Sequence, residues 1–116
     1  MLKRREFLAA VTIAAALPVV GLRAQEAQPL PDMIMGDPDA PIEIIEYSSM
    51  TCPHCAAFHT GTLPQLKAEY LDTGRAKLVF REFPLDRVAL MVSAIARCSG
   101  EDRFFPFVDV MFRTQE

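Results

Sequence analysis

Cys52-Pro53-His54-Cys55 sets two thiols three positions apart, a spacing that lets them pass between dithiol and disulfide. Proline is favoured at the first helical position, where its missing N–H would be an orphan anyway. Pro53 therefore predicts a helix that opens there, with Cys52 as its N-cap. The Cys52 sulfur would then face the free amides of His54 and Cys55. The positive end of the helix dipole favours thiolate over thiol, and the thiolate is the species that attacks a disulfide. A pair only three apart closes too small a loop to staple a fold, so its chemistry should be redox exchange.

Such a pair needs a strand before it and a helix after it. Ile42 to Tyr47 reads as a short strand whose apolar content on both faces suggests burial in a parallel sheet. The helix opening at Pro53 should break near Gly61. Thr62-Leu63-Pro64-Gln65 has the spacing of a capping box and would restart it, with Leu63, Leu66 and Tyr70 on one face. Gly74 is a stop signal. Ala76 to Phe83 reads as a second strand, closed by Pro84, completing a βαβ unit whose crossover should be right-handed. Asp86 would cap a further helix with Val88, Met91, Val92 and Ile95 as its inner stripe. Glu101 or Asp102 would start another. Phe104, Phe105, Phe107 and Phe112 fall at helical spacing along it and read as core.

The chain of 116 residues divides into four parts on this reading. Residues 1–24 look like an export signal: Lys3, Arg4 and Arg5 precede the apolar stretch Phe7 to Leu22, and Leu22-Arg23-Ala24 offers a small residue at the cleavage position. Arg4-Arg5-Glu6-Phe7-Leu8 resembles a twin-arginine signal, which would deliver the protein to the periplasm. The 16 residues of the apolar stretch, with Pro18 among them, fall short of a spanning helix. No stable membrane insertion is therefore expected once the signal is removed. Residues 25–41 read as an irregular lead-in rich in proline, 42–85 as the βαβ unit with the C-x-x-C, and 86–116 as the start of a helical insertion. Two parallel strands make a marginal sheet on their own, so the chain reads as the N-terminal part of a longer protein.

Removing residues 1–24 leaves 8 basic against 14 acidic residues, a net charge of −6. No basic stripe survives, which argues against nucleic-acid or anionic-membrane binding. Three cysteines in an exported chain mean one pair and one left over, in a compartment where disulfides persist.

The run Glu46-Tyr47-Ser48-Ser49-Met50-Thr51-Cys52-Pro53-His54-Cys55-Ala56-Ala57-Phe58-His59 resembles the active-site segment of the DsbA-like thiol:disulfide oxidoreductases. Phe80-Arg81-Glu82-Phe83-Pro84-Leu85-Asp86 resembles that family's exit from its second strand into an inserted helical domain. The resemblance implies an α/β, thioredoxin-like fold with a helical insertion, of which the first βαβ unit and part of the insertion are present. It also implies a periplasmic oxidase that introduces disulfides into exported proteins with free thiols. No bound cofactor is implied, and a DsbB-like membrane partner would reoxidise the pair. The family also carries a cis-proline loop on a later strand, and no such loop follows the two helices here.

Within that frame Cys52 is the candidate nucleophile and Cys55 the resolving thiol. Pro53 fixes the start of the helix, and an imidazolium at His54 would lower the thiol of Cys52. Glu46, on the strand face of Ile42 and Ile44, is a carboxylate in an apolar strand. Such a group should have a raised pKa and could relay protons to the resolving thiol. The family carries an acid at the matching place. Two other readings stand beside the enzyme: a non-catalytic fragment, and a metal-binding module drawing on Cys52, Cys55, His59 and Cys98. One C-x-x-C supplies only half a tetrahedral site. His59 reads instead as a helix-surface residue, and Cys98, in register with Met91 and Ile95, as a core cysteine.

Overall fold

The computed structural model describes residues 29–115, so the export-signal segment 1–24 lies outside the described residues. Three strands form one sheet: β1 (Met33–Gly36), β2 (Ile42–Ser48) and β3 (Ala76–Glu82), in the order β1-β3-β2. β2 runs parallel to β3 with Ile44 opposite Leu78 and Glu46 opposite Phe80, while β1 runs antiparallel with Met33 opposite Phe80. The central strand is enclosed, and Leu78, Val79 and Phe80 are all fully buried.

Two expectations change at the sheet. The lead-in is not irregular throughout, because Met33-Ile34-Met35 alternates well enough to pair along β3 between its flanking prolines. Met33 is buried there. Gly36 ends β1 at φ +97°, a conformation that favours glycine. The strand Ile42 to Tyr47, expected to be buried on both faces, lies instead at the sheet edge among the described strands. Ile42, Ile45 and Tyr47 are exposed, and only the side carrying Ile44 and Glu46 faces the helix.

Helical backbone then runs without a break from Pro53 to Leu71. Its segments are α1 (Pro53–Ala57), a π-helical turn (Phe58–Thr62), α2 (Leu63–Leu66) and a second π-helical turn (Lys67–Leu71). The expected break at Gly61 is absent, and Thr62 makes no side-chain cap. Pro64 gives the physical reason for the first widened turn. It cannot donate to the carbonyl four residues back, and its ring crowds that carbonyl, so the helix bulges without ending. The chain leaves the second π turn through Gly74 at φ +70°.

α3 (Arg87–Cys98) begins as expected, with the Asp86 carboxylate accepting the Ala89 N–H at 2.8 Å. Its inner stripe is not the expected one. Ala89, Ser93 and Ala96 are buried, while Val88, Met91 and Ile95 are exposed and Val92 is half-buried. Small side chains let the helix approach closely, and two polar ties fix which side faces in. One is the Thr51 hydroxyl, which donates to the Asp86 carboxylate. The other is the ion pair of Arg97 with Glu82 on β3. Cys98 consequently stands exposed and is not a core residue.

α4 (Glu101–Arg113) buries Phe104, Val108 and Phe112. These join Met33, Met50, Ala56, Phe80 and Ala96 in one apolar cluster, on which Cys55 also packs. The phenylalanines thus seal α4 against the sheet and the site helix. Ring edges lock Phe80 to Phe104 at 5.6 Å and Phe104 to Phe105 at 5.3 Å. No helix of the described residues is long and apolar enough to cross a membrane.

Candidate functional site

β2 ends at Ser48 and the chain turns tightly through Ser49 to Cys52, whose N–H donates to the Ser49 carbonyl at 3.0 Å. Met50, inside this turn, is almost fully buried, and the Gln115 side-chain amide donates to its carbonyl. Thr51 donates its hydroxyl to Asp86, so the residue that caps α3 also holds the loop before Cys52. That tie lowers the Asp86 carboxyl below its ordinary value, through the Thr51 hydroxyl first and then the Ala89 amide. Neither Thr51 nor Asp86 belongs to the Cys-Pro-His-Cys motif. A threonine and the cap aspartate 35 residues on carried no signal that they would meet.

Cys52 is the N-cap of α1, in extended backbone, and Pro53 occupies the first turn. The Ala56 N–H donates to the Cys52 carbonyl at 3.0 Å, which closes the first helical turn. The sulfur makes no full cap hydrogen bond, yet the Cys55 amide lies close enough to lower the thiol below its ordinary value of 9.0. The Cys55 thiol adds to this, partial desolvation opposes it, and the His54 amide adds a smaller lowering contribution. The helix start, then, is what favours the thiolate. His54 contributes through its backbone amide, and its side chain is exposed.

Cys55, one turn on, is half-buried and packs on the apolar cluster beneath α1. It opens on its other side to a groove of about 320 Å³ that Glu46, Tyr47 and His54 also line. Glu46 therefore shares one concavity with Cys55. Its carboxylate is not alone there. His59, expected on the helix surface, is buried, with Nε2 2.9 Å and 3.1 Å from the two oxygens of Glu46.

The ring of His59 stacks on Phe112 at 4.1 Å and meets the edges of Phe58 and Phe80. The signal for this was present. Ala56, His59 and Leu63 fall at i, i+3 and i+7, on the stripe that also carries Leu66, and Glu46 lies on the strand face turned toward that stripe. Residue type alone had suggested solvent.

Cys98 lies well apart in the fold, at the end of α3 beside Leu30 and Pro84. The structure therefore does not gather the four residues of the metal reading. His59 is committed to Glu46, and no group of three or more histidine, cysteine, aspartate or glutamate side chains fit to hold a metal occurs among the described residues.

A family model described as Thioredoxin matches residues 29–116. A protein of Rickettsia bellii carrying the name "Putative protein-disulfide oxidoreductase" is 41% identical over 86 residues, covering 73% of this chain and 33% of the relative. The crystal structure of Wolbachia pipientis alpha-DsbA1 superposes with a TM-score of 0.69 at 41% identity, over 77% of this chain and 46% of that one. A protein-disulfide isomerase from Novosphingobium aromaticivorans gives a TM-score of 0.70 at 32% identity, over 74% and 45%. The chain thus spans about a third of the length of the curated relatives it matches and a little under half of the solved structures.

Proposed function

Because the chain belongs to the thioredoxin family, in its DsbA-like branch, we propose that its parent protein is a thiol:disulfide oxidase working through Cys52 and Cys55. A substrate thiolate attacks the sulfur of Cys52 and breaks the Cys52–Cys55 bond. The electron pair passes to Cys55, which takes up a proton. A second substrate thiolate then attacks the substrate sulfur of the mixed disulfide and expels Cys52 as thiolate. Substrate leaves oxidised, and the pair is left reduced by two electrons.

The observation that carries this reading is the Cys52 sulfur at the start of α1, with the Cys55 amide holding its thiol below the ordinary value. A stabilised thiolate stabilises the reduced enzyme and so makes the disulfide a stronger oxidant. The Arg4-Arg5 signal supports a periplasmic site of action, with exported proteins bearing free thiols as substrates and a DsbB-like membrane protein as reoxidising partner. On the same reading residues 42–85 form the βαβ unit that carries the pair, and 86–116 begin a helical insertion.

A glutathione titration of the full-length protein, with Cys52→Ser as control, tests the proposal. A potential in the range of about −120 to −180 mV is expected. One as reducing as about −270 mV would overturn the oxidase assignment.

A further inference from the structure

Resting on the reading just given, we propose that His59 is a positioning residue for the resolving half of the exchange. It holds the Glu46 carboxylate toward Cys55, and that carboxylate takes the Cys55 proton when the pair closes. The juxtaposition is specific. Nε2 of His59 reaches both oxygens of Glu46, at 2.9 Å and 3.1 Å, and the two side chains are 3% and 12% exposed. One N–H donated between two carboxylate oxygens fixes the plane of that group.

The ring is fixed in turn. Phe112 of α4 stacks on it, and Phe80 of β3 and Phe58 of the same helix meet it edge-on. Among the groups packed on the ring, Glu46 from β2 is the charged one. Cys55, on the ring's own helix, stands one turn before it. Both Glu46 and Cys55 line the groove beneath α1.

Burying a histidine and a carboxylate costs solvation that an apolar pair would not lose, so packing alone does not call for them. Their use lies in the proton balance at Cys55. In closure of the pair, the S–H bond of Cys55 breaks and its proton crosses the groove to the Glu46 carboxylate. The freed electron pair forms the bond to the sulfur of Cys52, and the group that Cys52 carried departs as a thiolate. When a substrate thiolate opens the disulfide, the same proton returns to Cys55. No further oxidant or reductant enters either step.

The test separates the two sulfurs. Reduced full-length protein is mixed with oxidised glutathione in a stopped-flow instrument. Formation of the Cys52–glutathione mixed disulfide reports on Cys52, and first-order release of the second glutathione reports on Cys55. His59→Leu should slow closure about tenfold while mixed-disulfide formation stays within twofold, a share of what general base catalysis commonly supplies. His59→Gln, which can still donate an N–H to Glu46, should recover closure to within threefold of wild type. Glu46→Gln should close as slowly as His59→Leu.

Should His59→Leu not fold, Glu46→Leu/His59→Leu leaves no unpaired charge and should show the same slow closure. Closure at the wild-type rate in the leucine variants would overturn the proposal. Equal slowing of both steps, or no recovery in His59→Gln, would assign His59 a purely structural role. Wild type that forms no Cys52-dependent mixed disulfide would remove the oxidoreductase reading itself, and this inference with it.

Discussion

Arg97→Met should be among the most destabilising single substitutions outside the apolar cluster. The guanidinium of Arg97 grips both oxygens of Glu82 at the end of β3, one of them at 2.6 Å. A third donor reaches the Pro31 carbonyl ahead of β1, and the same group lies over the Phe104 ring at 5.3 Å. The two charged side chains are only 15% and 13% exposed. Removing one partner of a fully buried pair costs roughly 3–5 kcal/mol, mostly as the penalty of the orphaned charge. Residual exposure reduces that here, while the lost ring contact adds back about 0.5–1 kcal/mol.

The expected loss is therefore about 3 kcal/mol, roughly a hundredfold in the folded-to-unfolded ratio. Methionine keeps the aliphatic reach of the side chain, so lost packing contributes little. Urea unfolding at pH 7 measures the loss. The decisive variant is Arg97→Met/Glu82→Leu, because an apolar pair of similar volume is often neutral relative to a buried ion pair. The double variant should regain most of what the single one loses. A single-variant loss under about 1 kcal/mol, or a double variant no more stable than the single, would refute the reasoning.

Two further outcomes follow from the backbone and the thiol. Gly36→Ala should destabilise by about 2 kcal/mol in urea unfolding, because φ there is +97° and an added Cβ would meet the Ala76 carbonyl at 3.2 Å and the Leu71 Cβ at 3.3 Å; an unchanged midpoint would count against it. The reduced protein should gain stability as pH rises between the depressed thiol value of Cys52 in the fold and the ordinary 9.0 of the unfolded chain, since the thiolate is favoured only in the folded state. That contribution is complete above the unfolded value and is lost as pH falls through the folded one. Urea midpoints across this window should rise with pH in the wild type and flatten in Cys52→Ala, and iodoacetamide should alkylate Cys52 with a pH midpoint below 9.0.

Local rules carried the helix start at Cys52-Pro53 and much of the fold. Pro53, Asp86 and Gly74 each state a backbone requirement that neighbours do not alter, and the structure meets all three. Expectations departed from the structure where orientation depends on what else packs nearby. The apolar side chains of Ile42, Ile45 and Tyr47 suggested a central strand. Pairing put β3 in the middle instead, because the Met33–Gly36 segment docks on its other side. On α3 the larger residues Val88, Met91 and Ile95 outrank Ala89, Ser93 and Ala96 in hydrophobicity. The Arg97–Glu82 and Asp86–Thr51 ties nevertheless set the rotation. The capping-box spacing at Thr62 was outweighed by Pro64, which a helix can absorb as a widened turn if the flanking turns stay packed.

The two sulfurs of the pair are served by different parts of the fold, and this divides the labour between local and tertiary structure. What lowers Cys52 comes from within three residues of it, so a peptide that forms this one helical turn already contains the cause. What surrounds His59, one turn beyond Cys55, comes from β2, β3 and α4 through Glu46, Phe80 and Phe112, brought together only by the fold. On the proposed mechanism, changes on α4 should therefore act on closure of the disulfide before they act on Cys52. Phe112, which stacks on His59 at 4.1 Å and belongs to the apolar cluster on which Cys55 packs, is where the two effects separate most cleanly. On the proposed mechanism the Cys-Pro-His-Cys motif sets the reactivity of one sulfur, while the packing of α4 against the site helix governs how the other exchanges its proton.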